Sequence, residues 1–215
     1  INEFTPVQHP ANDVYTSIVT THFDYHSIDH NLLKLDMLGH DDPTMVRMLE
    51  DLTGVNAREI PLDDPDTMSL FTSSKVLGFE NDKVLGPTGA VAVPEFNTRF
   101  TRGVLEETQP TQFDMLLRIS GFTHGTDVWL GNAKDLILSG QATIQTAICC
   151  RDDIMVYLIQ KGMEEGLSFT IMESVRKGKG LKPEWIEAML AHDVPQWYID
   201  SCLKIKYMFP KAHAA

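Results

Sequence analysis

The sequence has few cysteines, few aromatic residues and no long apolar run. Its 215 residues include three cysteines, of which Cys149 and Cys150 are adjacent and Cys202 stands apart. This number and spacing exclude a disulfide framework and a Cys-x-x-Cys zinc knuckle, and they favour a reducing cytoplasm. No apolar run approaches membrane-spanning length, and residues 1–10 lack the basic and apolar regions of a signal peptide. The sequence therefore predicts a cytoplasmic chain with no membrane partner.

Positive charge is also scarce. The chain carries 18 Lys and Arg against 30 Asp and Glu, which gives a net charge of -12. This balance argues against binding nucleic acid over the whole surface, because phosphate contacts need clustered Lys and Arg. The acids concentrate in residues 1–60 and the cations in residues 174–213. The asymmetry fits a metal-binding end and a phosphate-binding end, and it fits equally two solvated surfaces of unequal charge.

Helical signals dominate after residue 42, whereas β signals are confined to the first forty residues. Residues 14–23 and 31–37 are the candidate strands. Pro43 at a first helical position and Gly54 after an apolar periodic run bound the first predicted helix. Further helices are predicted at 95–107, 111–119, 132–138, 152–161, 164–177, 183–191 and 196–207, with an irregular or hairpin segment at 78–94. The expected fold is mainly α with a short β-containing N-terminal segment, α+β overall.

Three stretches hold side chains that could carry chemistry. His22, His26 and His30 are four residues apart, which would suit a zinc site only on a helix. The surrounding Thr, Tyr, Phe and Ile favour extended or turn structure instead, so a metallohydrolase ranks low. Residues 120–131 are predicted to form a glycine-punctuated loop that contains His124 and Trp129, a composition often found beside ligands.

Asp36 is a carboxylate within an otherwise apolar alternation, at the end of a candidate strand and three residues before Gly39. Active-site carboxylates often occupy such strand ends. An exposed Asp paired with Lys34 on the polar face of a strand explains the same pattern.

The segment from Glu173 to Gly180 concentrates cations at the end of a predicted helix, namely Arg176, Lys177 and Lys179. Cations complement the dipole at a helix C-terminus, and Glu173 can pair with Lys177 at i,i+4 without any ligand. The same cations, separated by glycines, could clamp a triphosphate. Arg151 stands at a helix start, where its charge is unfavourable, so it needs a buried acid or a phosphate as partner.

Collinear blocks spread over the chain resemble the PolC-type alpha subunit of bacterial DNA polymerase III, the replicative enzyme of Gram-positive bacteria. One of these blocks contains Lys-Leu-Asp-Met-Leu-Gly at 34–39, and it is the blocks together that make the signal specific. The blocks lie at residues 20–28, 33–44, 124–133, 150–157, 171–180 and 204–215. The resemblance implies a C-family DNA polymerase fragment, with part of the palm at residues 1–42 and a truncated fingers domain at 43–215.

In that family three palm aspartates hold two Mg²⁺ ions for nucleotidyl transfer. The resemblance assigns the third aspartate, and thus one metal-ligand and catalytic role, to Asp36. The other two belong to a Pro-Asp-x-Asp motif, which these 215 residues do not contain. The resemblance therefore implies a polymerase whose isolated fragment is inactive.

The resemblance also implies contacts to the incoming dNTP and to primer-template DNA. Nucleotide-analogue inhibitors would occupy the same pocket, and the sliding clamp and other replisome subunits would bind elsewhere in the parent protein. The expected nucleotide-binding residues are Arg151, Arg176, Lys177, Lys179, Ser120, His124, Gly125, Trp129, Lys211 and His213. The alternative from another class is a non-catalytic helical module whose basic C-terminal third binds nucleic acid or a protein partner.

Overall fold

The computed structural model describes residues 1–10, 13–35, 37, 39–80, 82–83 and 85–214. The chain divides into two compact units, Ile1–Val55 and Asn56–Ala215. The longest helices have 12 residues, and no helix in the described part of the chain could span a lipid bilayer.

The described residues of the first unit contain a short sheet, a 3-10 turn (Tyr25–Ser27) and an α-helix. Strands β1 (Val7–Gln8) and β2 (Thr20–Thr21) pair antiparallel, with Val7 opposite Thr21. Helix α1 (Asp42–Thr53) has Pro43 in its first turn and ends at Gly54, whose φ of 72° closes the helix in the left-handed region. These bounds confirm the first predicted helix.

The two predicted strands were largely wrong. Of residues 14–23 only Thr20 and Thr21 pair, and the described residues of the stretch 31–37 form no strand. The side chains of Tyr15 and Leu33 are 96% and 86% exposed. Alternating sequence forms a strand only where a neighbouring strand accepts its hydrogen bonds and a core accepts its apolar face. Within the described residues of this unit neither is provided.

The second unit is a helical array. Its helices are α2 (Pro65–Ser69), α3 (Arg99–Thr108), α4 (Phe113–His124), α5 (Lys134–Leu138), α6 (Arg151–Gln160), α7 (Glu165–Arg176), α8 (Pro183–Ala191), α9 (Gln196–Lys204) and α10 (Lys211–Ala214). Short 3-10 turns lie at Ala57–Glu59, Lys75–Leu77 and Ala90–Ala92. The mainly α fold is confirmed.

The core of this unit forms where α6 packs against α7, the most extensive contact between two helices. Ile154 and Leu158 of α6 and Ile171 and Val175 of α7 are completely buried. Their i,i+4 spacing places each pair on one helix face, so burial of these stripes fixes the rotation of both helices. The packing therefore sets the start of α6 beside the end of α7.

Two of the predicted helix bounds that were wrong have clear causes, the first local and the second a contact with a distant segment. The helix predicted to begin at residue 95 begins at Arg99, because Glu95 has a φ of 66° and the Thr98 hydroxyl accepts a hydrogen bond from the Thr101 amide. The helix predicted to reach residue 207 ends at Lys204. The following backbone pairs with another segment instead, with the Thr126 amide donating to the Tyr207 carbonyl at 2.8 Å.

The loop predicted at residues 120–131 was wrong for its first five residues, whereas residues 125–131 lie outside the α-helices. Residues 120–124 are the last turns of α4, and Ser120 is buried there. The Trp129–Ala133 segment is an irregular turn in which Gly131 has a φ of 69°. Gly121, interpreted from sequence as a turn signal, is instead a helical residue that packs against the Cys149 carbonyl.

Candidate functional site

Three predicted phosphate-binding cations meet at one carboxylate, that of Glu173. The Arg176 guanidinium donates from Nε to Oε1 and from Nη2 to Oε2, the latter at 2.9 Å. Lys177 Nζ lies 3.1 Å from Oε2, and Arg151 Nη1 lies 3.7 Å from Oε1. We call these four residues the Glu173 cluster.

Helix geometry and helix packing assemble this cluster. Arg176 and Lys177 follow Glu173 by three and four residues, so their side chains lie on the same face of α7. Arg151 comes from the first turn of α6, which packs against α7. Sequence spacing predicted the contact between Glu173 and Lys177, whereas the approach of Arg151 depends on tertiary packing.

The cluster keeps a net positive charge. Hydrogen bonding from Arg176 lowers the pKa of Glu173 from 4.5 to about 2, against a smaller opposing effect of burial, with Lys177 contributing in the same direction. The Glu173 carboxylate in turn raises the pKa of Arg176. At neutral pH three cations therefore surround one anion, which leaves two positive charges.

Arg151 has unused hydrogen-bonding capacity. Its Nε atom is buried and has no acceptor within the described residues, and its contact with Glu173 is longer than a hydrogen bond. A buried donor without an acceptor costs about 1–3 kcal/mol, and a water molecule or an anion can supply the acceptor.

Lys179 is exposed and stands outside the ion pairs of the cluster. It follows Gly178, whose φ is 69° and whose backbone approaches Lys206 so closely that a Cβ would lie 2.4 Å from the Lys206 carbonyl oxygen. The structure therefore brings Arg151, Arg176 and Lys177 together at Glu173, and Lys179 takes no part in these ion pairs.

Residues 205–210, which we call the connector segment, join the cluster to the end of α4. The Met208 amide donates to the Arg176 carbonyl, and the Arg151 amide donates to the Phe209 carbonyl, both at 3.3 Å. On its other side the segment pairs with Thr126. The connector thus holds the end of α7, the start of α6 and the turn after α4 in one place.

Two predicted histidines flank the connector. The rings of His124 and His213 lie 5.7 and 4.7 Å from the ring of Phe209, each edge to face. His124 Nε2 also lies 2.7 Å from a carboxylate oxygen of Glu95. Sequence reasoning missed Phe209 and the central position of Glu173 among the cations. The spacing of three and four residues from Glu173 to Arg176 and Lys177 indicated that these side chains share one helix face, and it could have identified Glu173.

The remaining predicted residues have packing roles. Gly125 lies where a Cβ would be 2.7 Å from the Tyr207 carbonyl oxygen, so its small size permits the connector to approach. Trp129 is 4% exposed, packs on Phe122 and lines a separate cavity of about 780 Å³ whose lining includes no residue of the cluster. Lys211 donates its backbone amide to Asp152 at 2.6 Å and lines a cavity of about 640 Å³.

Asp36, the predicted catalytic and metal-binding residue, lies outside the described residues, so its role stays a prediction. Among the described residues, one group of three potential ligands is close enough to share an ion, formed by Cys149, Cys150 and Asp153. Hydrogen bonding to Cys150 and burial raise the pKa of Cys149, and the thiol donates to Asp153 at 3.0 Å. Protonated thiols do not suit Mg²⁺, which prefers oxygen ligands. This group instead caps the start of α6.

The chain is similar along its whole length to three bacterial proteins named DNA polymerase III PolC-type. Identity is 63% over 214 residues with the protein of Caldanaerobacter subterraneus, 60% over 215 residues with that of Halalkalibacterium halodurans, and 58% over 215 residues with that of Staphylococcus aureus. The chain belongs to the PolC-type DNA polymerase III family. It spans 15% of the length of these relatives.

A family model described as the bacterial DNA polymerase III alpha subunit finger domain matches residues 42–193. The match contains α1 through α8, including the Glu173 cluster. The connector segment and α10 follow the matched range. The cluster therefore lies within the range that the finger-domain model matches.

Proposed function

We propose that this chain forms the nucleotide-binding fingers and part of the palm of a replicative DNA-directed DNA polymerase. In this proposal the Glu173 cluster binds the triphosphate of the incoming dNTP. The observation that carries it is the convergence of Arg151, Arg176 and Lys177, from two helices, with a net charge of two in a finger domain.

The individual side chains suit different parts of the nucleotide. Arg151, whose side chain is 31% exposed, offers a guanidinium group, and such groups bind phosphate oxygens in pairs. Lys177 and Lys179 are exposed ammonium groups that add charge without fixed geometry. His124, His213 and Lys211 stand around the connector, where the sugar and base would lie. Ser120, Gly125 and Trp129 would shape that region through packing.

Asp36 is proposed as one ligand of the catalytic Mg²⁺ ions. Such ions activate the primer 3′-hydroxyl and stabilise the leaving pyrophosphate. The two partner aspartates of the family motif are absent from these 215 residues. The isolated chain is therefore expected to give no primer extension on primed DNA, and extension by the purified chain would overturn this part of the proposal.

The proposed partners are primer-template DNA and nucleotide-analogue inhibitors. The sliding clamp and other replisome subunits would bind through the rest of the parent protein. The three cysteines are free and buried, which fits a reducing cytoplasm.

The test is steady-state kinetics of the full-length polymerase with Arg151→Ala or Lys177→Ala. Loss of one charged hydrogen bond of about 1.5–3 kcal/mol should raise the KM for dNTP about tenfold or more. Lys134→Ala is the control, because Lys134 also forms an ion pair, 2.7 Å from Glu107, but lies outside the cluster. Its KM should stay within about twofold of wild type.

If neither cluster variant changes the KM for dNTP while both remain folded, the proposal is wrong. A change confined to binding of primed DNA would favour the alternative, a basic helical surface for nucleic acid.

A further inference from the structure

Glu173 is the one acid in the ion pairs of the cluster, and its contacts with the three cations are unequal. Arg176 uses two nitrogens on the same carboxylate, from three residues further along the same helix. Lys177 makes one contact and its side chain is 48% exposed, while Arg151 stands 3.7 Å away. The ion pair between Glu173 and Arg176 is therefore the strongest of the three, and Arg151 and Lys177 are more easily displaced from Glu173.

A carboxylate in this position opposes the binding of any phosphate. It lies within 4 Å of the nitrogens that the triphosphate would contact, so the two anions compete for the same cations and repel each other. The low pKa of Glu173, about 2, keeps this negative charge present throughout the physiological pH range. Its side chain is 21% exposed, so solvent screens it only in part.

We infer that Glu173 is an internal competing anion that holds Arg151 and Lys177 in the nucleotide-free enzyme and is displaced from both by the triphosphate. Arg176 stays on Glu173 throughout and positions it. This inference rests on the proposed function of the cluster. After nucleotidyl transfer, the same carboxylate recovers the two cations and weakens the hold on pyrophosphate.

The test is Glu173→Gln in the full-length polymerase, with dATP as the varied substrate and pyrophosphate as the inhibitor. Removing the charge while keeping the side-chain length should lower both the KM for dATP and the inhibition constant of pyrophosphate by about three- to tenfold. A residue that only supported Arg176 would have the opposite effect, because its loss would free Arg176 and raise both constants. An unchanged or raised KM overturns the inference.

Two variants isolate the charge. Glu173→Asp keeps the negative charge beside the cations, so it should lower the KM for dATP less than Glu173→Gln does. A fall as large as that of Glu173→Gln would overturn the inference. Glu165→Gln removes the same charge from the first turn of the same helix, about 12 Å away, and should change neither constant. If melting shows that Glu173→Gln is unfolded, Glu173→Met, of similar length and uncharged, replaces it with the same expectation.

Failure of this inference is distinguishable from failure of the proposed function. If Arg151→Ala and Lys177→Ala raise the KM but Glu173→Gln does not lower it, the cluster binds the triphosphate and Glu173 does not compete. If none of the cation variants matters, the triphosphate binds elsewhere.

Discussion

Replacing Gly121 by alanine should destabilise the second unit, although alanine favours helices. Gly121 lies in α4, and a Cβ added to it would be 2.5 Å from the Cys149 carbonyl oxygen and 3.0 Å from the carbonyl carbon. Both contacts are with backbone, which cannot move aside as a flexible side chain can. Either α4 or the Cys149 segment must therefore shift.

The magnitude follows from two opposing effects. Overpacking of a buried contact costs about 1–3 kcal/mol. The change from glycine to alanine in a helix interior gains about 1 kcal/mol. Gly103 in α3 provides a matched control, because nothing lies within 4 Å of its Cβ position. Since both variants have the same gain in helix propensity, the difference between them isolates the packing cost, about 1–3 kcal/mol.

Urea unfolding followed by tryptophan fluorescence measures this difference. The three tryptophans, Trp129, Trp185 and Trp197, all lie in the second unit, so the signal reports on the unit that contains Gly121. Gly103→Ala should unfold at the same or a higher urea concentration than wild type, and Gly121→Ala at a lower one. Equal midpoints for the two variants would refute the close approach of α4 to Cys149.

Three further predictions concern buried or paired groups in the second unit. Asn132→Ala should lower the free energy of unfolding in urea by about 2–3 kcal/mol. The buried Ser201 hydroxyl donates to the side-chain oxygen of Asn132 at 2.7 Å, and the side-chain nitrogen of Asn132 donates to the backbone carbonyl of Ser201 at 3.2 Å. A loss below about 0.5 kcal/mol would contradict this. Glu173 has a lowered pKa, so its contribution to stability is complete above pH 5 and is lost as pH falls toward 2. In Glu173→Gln, the decrease in the free energy of unfolding between pH 5 and pH 2 should be smaller than in wild type by at most about 3 kcal/mol. Equal slopes of unfolding free energy against pH in the two proteins would contradict this prediction. Burial raises the pKa of Cys202, and hydrogen bonding together with burial raises the pKa of Cys149. Both thiols should therefore react with Ellman's reagent only when the chain unfolds. Fast labelling of the native chain would show that the thiols are accessible.

Helix bounds marked by proline were among the most predictable features, because local residues determine them. Helix α8 begins at Pro183 and ends at Ala191 as predicted, since proline is favoured in a first turn and lacks the donor that the interior of a helix requires. Helix ends that depend on distant backbone were less predictable. The segment after Lys204 leaves the helix because Thr126, far away in sequence, pairs with Tyr207.

Glycine was the most misleading signal. Gly121 and Gly125 together predicted a loop, yet both are required by close approach, Gly121 to Cys149 within a helix and Gly125 to Tyr207. A single sequence does not distinguish a glycine that permits a turn from one that permits contact, because both need only the absence of a Cβ. The strand predictions failed for a related reason, since alternation specifies a face but not the partner that buries it.

The candidate site was predictable in its residue types and unpredictable in its assembly. Arg176 and Lys177 were identified from their position at the end of a helix, and Arg151 from its unfavourable place at a helix start. That a single carboxylate collects all three follows from α6 packing on α7, a contact between residues more than twenty apart in the sequence. Sequence spacing therefore indicated the contact of Glu173 with Lys177, and the contact with Arg151 became visible only in the fold.

The connector segment explains how such a cluster could respond to a ligand. A backbone amide of the connector donates to the backbone carbonyl of Arg176, and a connector carbonyl accepts a hydrogen bond from the backbone amide of Arg151. The end of α7 and the start of α6 are therefore both attached to the connector. Displacing Arg151 from Glu173 requires only rotation of a side chain whose Nε already lacks an acceptor, whereas displacing Arg176 would break two hydrogen bonds at once. The rigid part of the cluster is thus Glu173 with Arg176, and the adjustable part is Arg151 with Lys177. Under the proposed function, the adjustable part would bind the triphosphate and release pyrophosphate, so the charge on Glu173, rather than that of any one cation, is the informative one to remove.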